Sequence, residues 1–263
     1  MKIRINKSSG MTLIEVLIAV TITSIMMLAM FSTYTMVNKS HKQVTNRAKI
    51  SQSSRDIVGF ISRDIRMAGY KYLKSPLTGT ENVLSIQITG GSGFTNQTTD
   101  TCDSIKIMYD ARELTNEADN PDLGIIAPHK YKRFLISYKC SQYNTESGFT
   151  IMKQVQHWDN LNQEWAVDVA EGSYNFEEIQ DYIQDMVFVA YDINGNVLST
   201  VDSSNIKNLR TVETSLVVKS TNELFKKANR SKITIKKDRT INVTSDGHLR
   251  EIITVSTNTR NIL

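Results

Sequence analysis

The sequence has little of what most chemistry needs. Its 263 residues include two cysteines, Cys102 and Cys140, and neither has a CxxC neighbour. The four histidines, His41, His129, His157 and His248, are scattered. That spacing excludes a zinc ribbon or finger and gives no metal site. No Ser/His/Asp constellation or paired acidic motif stands out, so the residues give no reason to expect an enzyme or a cofactor. Proline is scarce, with three residues and none before Pro76. Nothing in the first 75 residues forces a helix to break. Charge of one sign is lacking too: the net charge is +4, and Lys2, Arg4 and Lys7 alone supply three of those charges. Past the N-terminal tip the chain is near neutrality, which removes any global reason to bind nucleic acid.

The emptiest stretch is the most informative. Between Gly10 and Lys39 the only charged side chain is Glu15. From Leu13 to Phe31 the chain is mostly Leu, Ile, Val, Ala and Met, close to the ~20 residues a helix needs to cross a hydrocarbon core. The basic residues ahead of it predict a cytoplasmic N-terminus and an outward-facing remainder. A secretory signal peptide has a shorter apolar run and a small-residue cleavage site. A simple signal anchor leaves Glu15 unexplained, because a carboxylate in apolar surroundings is costly and marks a function or a partner.

The helical pattern continues beyond the apolar run. Ile50, Ser54, Ile57, Ile61, Ile65 and Ala68 recur at steps of three and four, one face of an amphipathic helix. Arg55, Asp56, Arg63 and Arg66 lie off that stripe. Arg63, Asp64 and Arg66 read first as a solvated face with weak local ion pairs, and second as contacts to a neighbouring chain. Gly59 lowers helix propensity locally, and Gly69 suits the C′ position. One helix from about Met11 to Ala68 is expected. Its outer half needs a sheet, or neighbouring helices, to cover it.

The rest of the chain reads as strands: Val83–Thr89, Ser104–Tyr109, Arg133–Lys139, Phe149–Val155, Asp185–Tyr191, Val197–Val201, Leu209–Lys219 and His248–Thr257. Ser147-Gly148 and Asn194-Gly195 are the hairpin signals. Strands beside one long helix, without βαβ spacing, predict an α+β fold with a largely antiparallel sheet. In an exported chain, Cys102 and Cys140 are expected to form one disulfide.

Lesser motifs carry bland readings. Asp192 to Asn196 lacks the distal Glu of a calcium loop and reads as a turn. Gly90-Gly91-Ser92-Gly93 lacks the Lys-Ser/Thr of a phosphate loop and reads, with residues up to Asp100, as a polar loop. Lys226, Lys227, Arg230, Lys232, Lys236, Lys237 and Arg239 form a basic cluster. It could meet phosphates of DNA or an anionic surface. Without interleaved aromatics, a solvated loop or hairpin face is the preferred reading. Trp158 and Trp165 flank a polar turn and read as hairpin packing.

The N-terminal residues resemble a known family. A basic leader, Gly10, then Met11-Thr12-Leu13-Ile14-Glu15-Val16 and an apolar helix is similar to the processing site of type IV pilins and pseudopilins. The resemblance implies cleavage after Gly10 by a prepilin peptidase, methylation of the new N-terminus at Met11, and a carboxylate, Glu15, at the fifth mature position. The family more often has Phe where this chain has Met11. In that family the carboxylate pairs with the N-terminal amine of a neighbouring subunit. Each charge is expensive alone in a low-dielectric filament core, so the pair acts as a registration device. Arg63-Asp64-Ile65-Arg66-Met67-Ala68-Gly69-Tyr70 resembles the signature of PilW-type minor pilins. More loosely, so do the strands beginning at Tyr182, Leu209 and Leu249.

The organisation this implies is a leader over residues 1–10 and a membrane or filament-core half of the helix over 11–37. An amphipathic half over 38–69 and a β-rich periplasmic head over 70–263 follow. The implied role is a minor pilin, incorporated into a tip or initiation complex that primes pilus assembly for twitching motility, adhesion or DNA uptake. The implied partners are other minor pilins, the major pilin, the peptidase and the inner-membrane assembly platform. The chain would stand single-pass in the inner membrane before assembly and on the pilus afterwards. The alternatives are a J-type pseudopilin of type II secretion and a tip subunit that binds DNA or a surface through the basic cluster.

Overall fold

The computed structural model describes residues 10–71, 84–90, 102–112, 131–144, 148–159, 161–169, 172–223, 232–235, 240–242 and 247–262. The chain forms two units, Met1–Asn46 and Arg47–Leu263. One helix, α1 (Leu13–Met67), runs through both ranges.

The first unit contains residues 13–46 of α1. Its apolar side chains are exposed, with Leu13 at 81% and Phe31 at 67%. By length and composition α1 can cross a membrane, and none of its most apolar window is buried. The hydroxyls within that window are spent on the helix itself. Thr21 Oγ1 donates to the Ile18 carbonyl at 2.8 Å, Thr23 to Ala19 at 2.8 Å and Ser24 to Val20 at 2.7 Å. Such back-bonding leaves no hydroxyl needing water, the condition for polar side chains in a lipid-facing helix.

In the second unit, residues 47–67 of α1 lie on an antiparallel sheet. The strands are β1 (Ile86–Thr89), β2 (Ser104–Arg112), β3 (Tyr131–Asn144), β4 (Gly148–Asp159), β5 (Glu164–Ala166), β6 (Tyr174–Asp192), β7 (Val197–Leu198), β8 (Leu209–Glu223), β9 (Lys232–Thr234), β10 (Thr240–Asn242) and β11 (His248–Asn258). The main sheet has the order β1-β2-β3-β4-β6-β8-β11, with β5 on β4 and β7 on β6. Ile50, Ile57, Ile61, Ile65 and Ala68 are buried against Ile105, Ile107, Ile136, Ile151, Met186, Phe188 and Leu216. The step of three and four therefore marks the buried stripe, as expected from the sequence. On the opposite sheet face Val187, Val189 and Val217 pack with Ile235 and Ile233, beside the separate β9–β10 hairpin.

β6 is longer than its expected span and changes partner along its length. Its first half pairs with β4, from Tyr174 opposite Val155 to Ile183 opposite Phe149. Its second half pairs with β8, from Ile183 opposite Val218 to Asp192 opposite Leu209. At the switch Tyr182 has φ 60°, and the register shifts between Ile183 and Asp185. Beyond the switch, residues 102–103 cover the edge that β4 leaves. The Asp103 N–H donates to the Met186 carbonyl at 2.7 Å, and Phe188 N–H donates to Asp103 Oδ2 at 3.0 Å. The adjacent Cys102 is disulfide-bonded to Cys140 of β3, with Cα atoms 5.9 Å apart. Closing this 38-residue separation is expected to stabilise the second unit by about 3 kcal/mol. A Cys102→Ser/Cys140→Ser chain should show that loss in denaturant titrations, and an unchanged midpoint would refute it.

α1 ends where β2 needs an edge partner. Gly69 N–H donates to the Met108 carbonyl at 2.9 Å, and Asp110 N–H donates to the Tyr70 carbonyl at 2.8 Å. Gly69 has φ +77°, and a Cβ there would stand 2.7 Å from the Asn261 carbonyl oxygen. Glycine is required twice over, by conformation and by contact. Gly69→Ala is expected to lower stability by about 2 kcal/mol, read as a fall in Tm. Full wild-type stability would mean that residues 261–262 can move aside.

Other expectations differ in detail. Val197–Val201 is only a two-residue strand, β7, and the expected turn ahead of it is organised by Asp192. Its Oδ1 accepts the N–H groups of Asn194 and Asn196, each at 2.8 Å. The Asn196 N–H hydrogen bond, with others in the turn, holds the Asp192 carboxyl below its ordinary range. Trp158 and Trp165 stack edge to face at 5.3 Å across β4–β5.

Candidate functional site

The site begins at the start of α1. Gly10 and Met11 precede the helix and are exposed, Met11 by 78%. Thr12 is the last residue before helical structure, and Glu15 stands three residues on. Thr12 N–H and Thr12 Oγ1 both donate to Glu15 Oε2 at 2.9 Å. Glu15 N–H reaches back to Thr12 Oγ1 at 3.4 Å. This is a capping box: each side chain satisfies a backbone N–H that the helix start leaves open. A carboxylate in the first turn also suits the positive end of the helix dipole. In this chain alone, then, Glu15 has a local job in starting the helix cleanly.

The geometry leaves Glu15 free to serve a second partner. Its Oε2 carries both Thr12 contacts, and an ionised carboxylate accepts about four hydrogen bonds. A cation arriving at this end of the helix meets a carboxylate already held in place. Lys2, Arg4 and Lys7 lie outside the described residues.

A second constellation, which the sequence reading assigned to solvent, lies at the other end of α1. Asp64 is not on a solvated face; it is buried, with 5% of its surface exposed. Tyr138 OH donates to Asp64 Oδ2 at 2.5 Å, Lys153 Nζ to the same oxygen at 3.1 Å, and Tyr109 OH to Oδ1 at 3.3 Å. Burial, reinforced by the Asp64 carboxylate, pushes both phenols well above their ordinary range. They stay protonated donors at neutral pH. The residue type misled the reading: a charge offset from apolar neighbours suggests water, whereas here β2, β3 and β4 bring donors to it. Arg63 and Arg66 are exposed, as expected.

Of the remaining residues singled out, Cys102 and Cys140 are brought together and the basic cluster falls almost wholly outside the described residues. Lys232 opens β9; Lys226, Lys227, Arg230, Lys236, Lys237 and Arg239 are not described. The glycine-rich loop after Gly90 is likewise outside them.

One pairing resembles a catalytic dyad on paper. His157 Nδ1 lies 2.9 Å from Ser173 Oγ. Both residues are buried, and Ser173 Oγ also meets the backbone N–H and carbonyl of Asp168, at 2.7 and 2.9 Å. The hydroxyl is committed to holding a loop, which is a structural use. Among the described residues no group of three or more His, Cys, Asp or Glu is placed to hold a metal ion.

Comparison with known proteins bears on the first constellation. Residues 5–31 match the family model described as the prokaryotic N-terminal methylation motif. Among solved structures, the chain is similar to a type IV-like pilin from Thermus thermophilus. The two share 8% identity at a TM-score of 0.47, over 81% of this chain and 98% of that one. Comparison with curated proteins finds no match.

Proposed function

We propose that this chain, which carries a prokaryotic N-terminal methylation motif, is a type IV pilin-like subunit, and specifically a minor pilin of the PilW type. The observation that carries the reading is the motif match over residues 5–31, with Gly10, Met11 and Glu15 in the family's order ahead of an exposed apolar helix. The chain is then a substrate and building block. A prepilin peptidase cuts after Gly10, Met11 becomes the methylated N-terminus, and the membrane holds the apolar part of α1 until assembly. In the filament the Glu15 carboxylate receives the amine of a neighbouring subunit. The desolvated pair is satisfied only when both subunits are in register.

The finer assignment rests on Arg63 to Tyr70. Within a tip or initiation complex the chain joins other minor pilins and primes addition of the major pilin. A J-type pseudopilin role would leave pili intact and abolish secretion when the chain is deleted, which separates the two machines.

Intact-mass spectrometry of the full chain from membranes, with and without the peptidase, tests the core of this. The expected species begins at methylated Met11 only when the peptidase is present. A species retaining residues 1–10 in peptidase-positive cells would sink the proposal.

A further inference from the structure

We infer that the outer edge of β11 pairs with the same edge of a second copy of this chain, antiparallel and centred on Thr254. The inference goes beyond the pilin-like reading and does not depend on leader cleavage.

The main sheet ends in two edges, β1 and β11. β1 is four residues long, and its shortness blunts it. β11 is eleven residues long, and its register on β8 is unbroken from Arg250 to Asn258. Within it Ile252-Ile253-Thr254-Val255-Ser256-Thr257 carries no charge, no proline and no glycine. Charged side chains, proline and bulges are what keep an open edge from pairing. Nothing of the kind interrupts these six residues, so they form a pairing template about 20 Å long.

The ladder shows which groups that edge offers. Thr259 N–H donates to the carbonyl of Arg210 at 2.9 Å, in line with the β11–β8 register. Antiparallel residues alternate, so Thr257, Val255 and Ile253 also turn their N–H and C=O toward β8. Asn258, Ser256, Thr254 and Ile252 turn theirs away from it. Among the described residues no backbone group meets them on that side. The side chains of the same four are exposed.

A second copy fits this edge. A twofold axis at Thr254 joins Thr254 to Thr254, and Ile252 to Ser256, through the outward backbone groups. Ile253 then stands opposite Val255 in the closer, non-hydrogen-bonded pairs, where β-branched side chains stabilise each other. Glu251 stands opposite Thr257 in the same way. Glu251 Oε2 and Thr257 Oγ1 both lack a hydrogen-bond partner within one chain. The register thus sets an acceptor opposite a donor. Arg250 faces Asn258, so no like charges meet. Parallel pairing in register would instead set Glu251 beside Glu251, which is destabilising. A foreign strand would have to supply this pattern, whereas a second copy carries it already. The twofold also closes on itself, leaving only the short β1 edge open in each copy.

The test uses the full chain in mild detergent, with Thr254→Cys as reporter and a short homobifunctional thiol reagent. The expected product is a covalent dimer. Leu161→Cys, 93% exposed on the β4–β5 turn, should give roughly tenfold less of it. Two lysines on the exposed face, Ile252→Lys/Ser256→Lys, place like charges directly opposite each other and should lower the Thr254→Cys product about tenfold. Mixing that chain with an Ile252→Glu/Ser256→Glu chain should restore it as a mixed dimer. Ile252→Pro/Ser256→Pro removes only outward N–H groups, so it should abolish the product while the β8 ladder and Tm hold. No dimer, equal yield at Leu161→Cys, a yield indifferent to the lysines, or no rescue by the opposite charges would overturn the inference.

Discussion

Replacing Asp64 by alanine is expected to lower the unfolding free energy of the second unit by about 3 kcal/mol, the lower end of what breaking a buried ion pair costs. The lower end applies because Lys153 keeps 19% of its side-chain surface and recovers some hydration. The two phenols do worse. Tyr138 is fully buried, and without Asp64 its hydroxyl loses the acceptor it points to. Asp64→Asn should cost less, since the amide oxygen still accepts one hydrogen bond. Both tryptophans, Trp158 and Trp165, sit in the sheet unit, so their fluorescence in denaturant follows this unfolding event. A loss below about 1 kcal/mol for Asp64→Ala would show that water or a neighbouring group replaces the carboxylate. A paired Asp64→Leu/Lys153→Met chain should recover much of the stability, because apolar pairs often replace buried ion pairs without net loss.

The second large effect concerns assembly. Glu15→Ala should leave leader cleavage and the folded sheet unit intact while cutting incorporation into filaments at least roughly tenfold. The capping box supplies the necessary control. Thr12→Ala removes the capping partner but keeps the carboxylate. If the second role of Glu15 is to receive an amine, Thr12→Ala should assemble far better than Glu15→Ala. Equal loss in both variants, scored by immunoblot of sheared filaments, would reduce Glu15 to a helix-capping residue. Normal incorporation of Glu15→Ala would remove its proposed partner altogether.

The helix was the most legible part of the fold. Its apolar run, its stripe from Ile50 to Ala68 and its stop at Gly69 follow from spacing and from glycine's freedom at positive φ. The antiparallel strands were legible where residues alternate, as in Met186, Phe188 and Ala190 against Val187, Val189 and Tyr191. The first half of β6 was not, because Glu177, Glu178, Gln180 and Asp181 break the alternation on a stretch where no residue is fully buried. Asp64 was misread, although position had the answer. It stands three residues after Ile61 and seven after Ile57, on the buried side of the wheel. Residue type outweighed periodicity, and the donors from Tyr109, Tyr138 and Lys153 lie 45 to 89 residues away in sequence. The small β9–β10 pair was legible only as one of two forms open to the basic cluster, without strand bounds, because three-residue strands are too short to show alternation. The pairing of Cys102 with Cys140 required only the choice between bonded and free.

The partner switch in β6 has a mechanical consequence. One strand carries the hydrogen bonds of two separate leaves, β1 to β4 on its first half and β8 with β11 on its second. A pull that separates the leaves must break either the β4 ladder on the first half of that strand or the β8 ladder on its second half. The Cys102–Cys140 bridge and the Asp103 clamp tie the first leaf to the second half of β6 by another route. Under tension, the sheet should resist as one body until that clamp gives way.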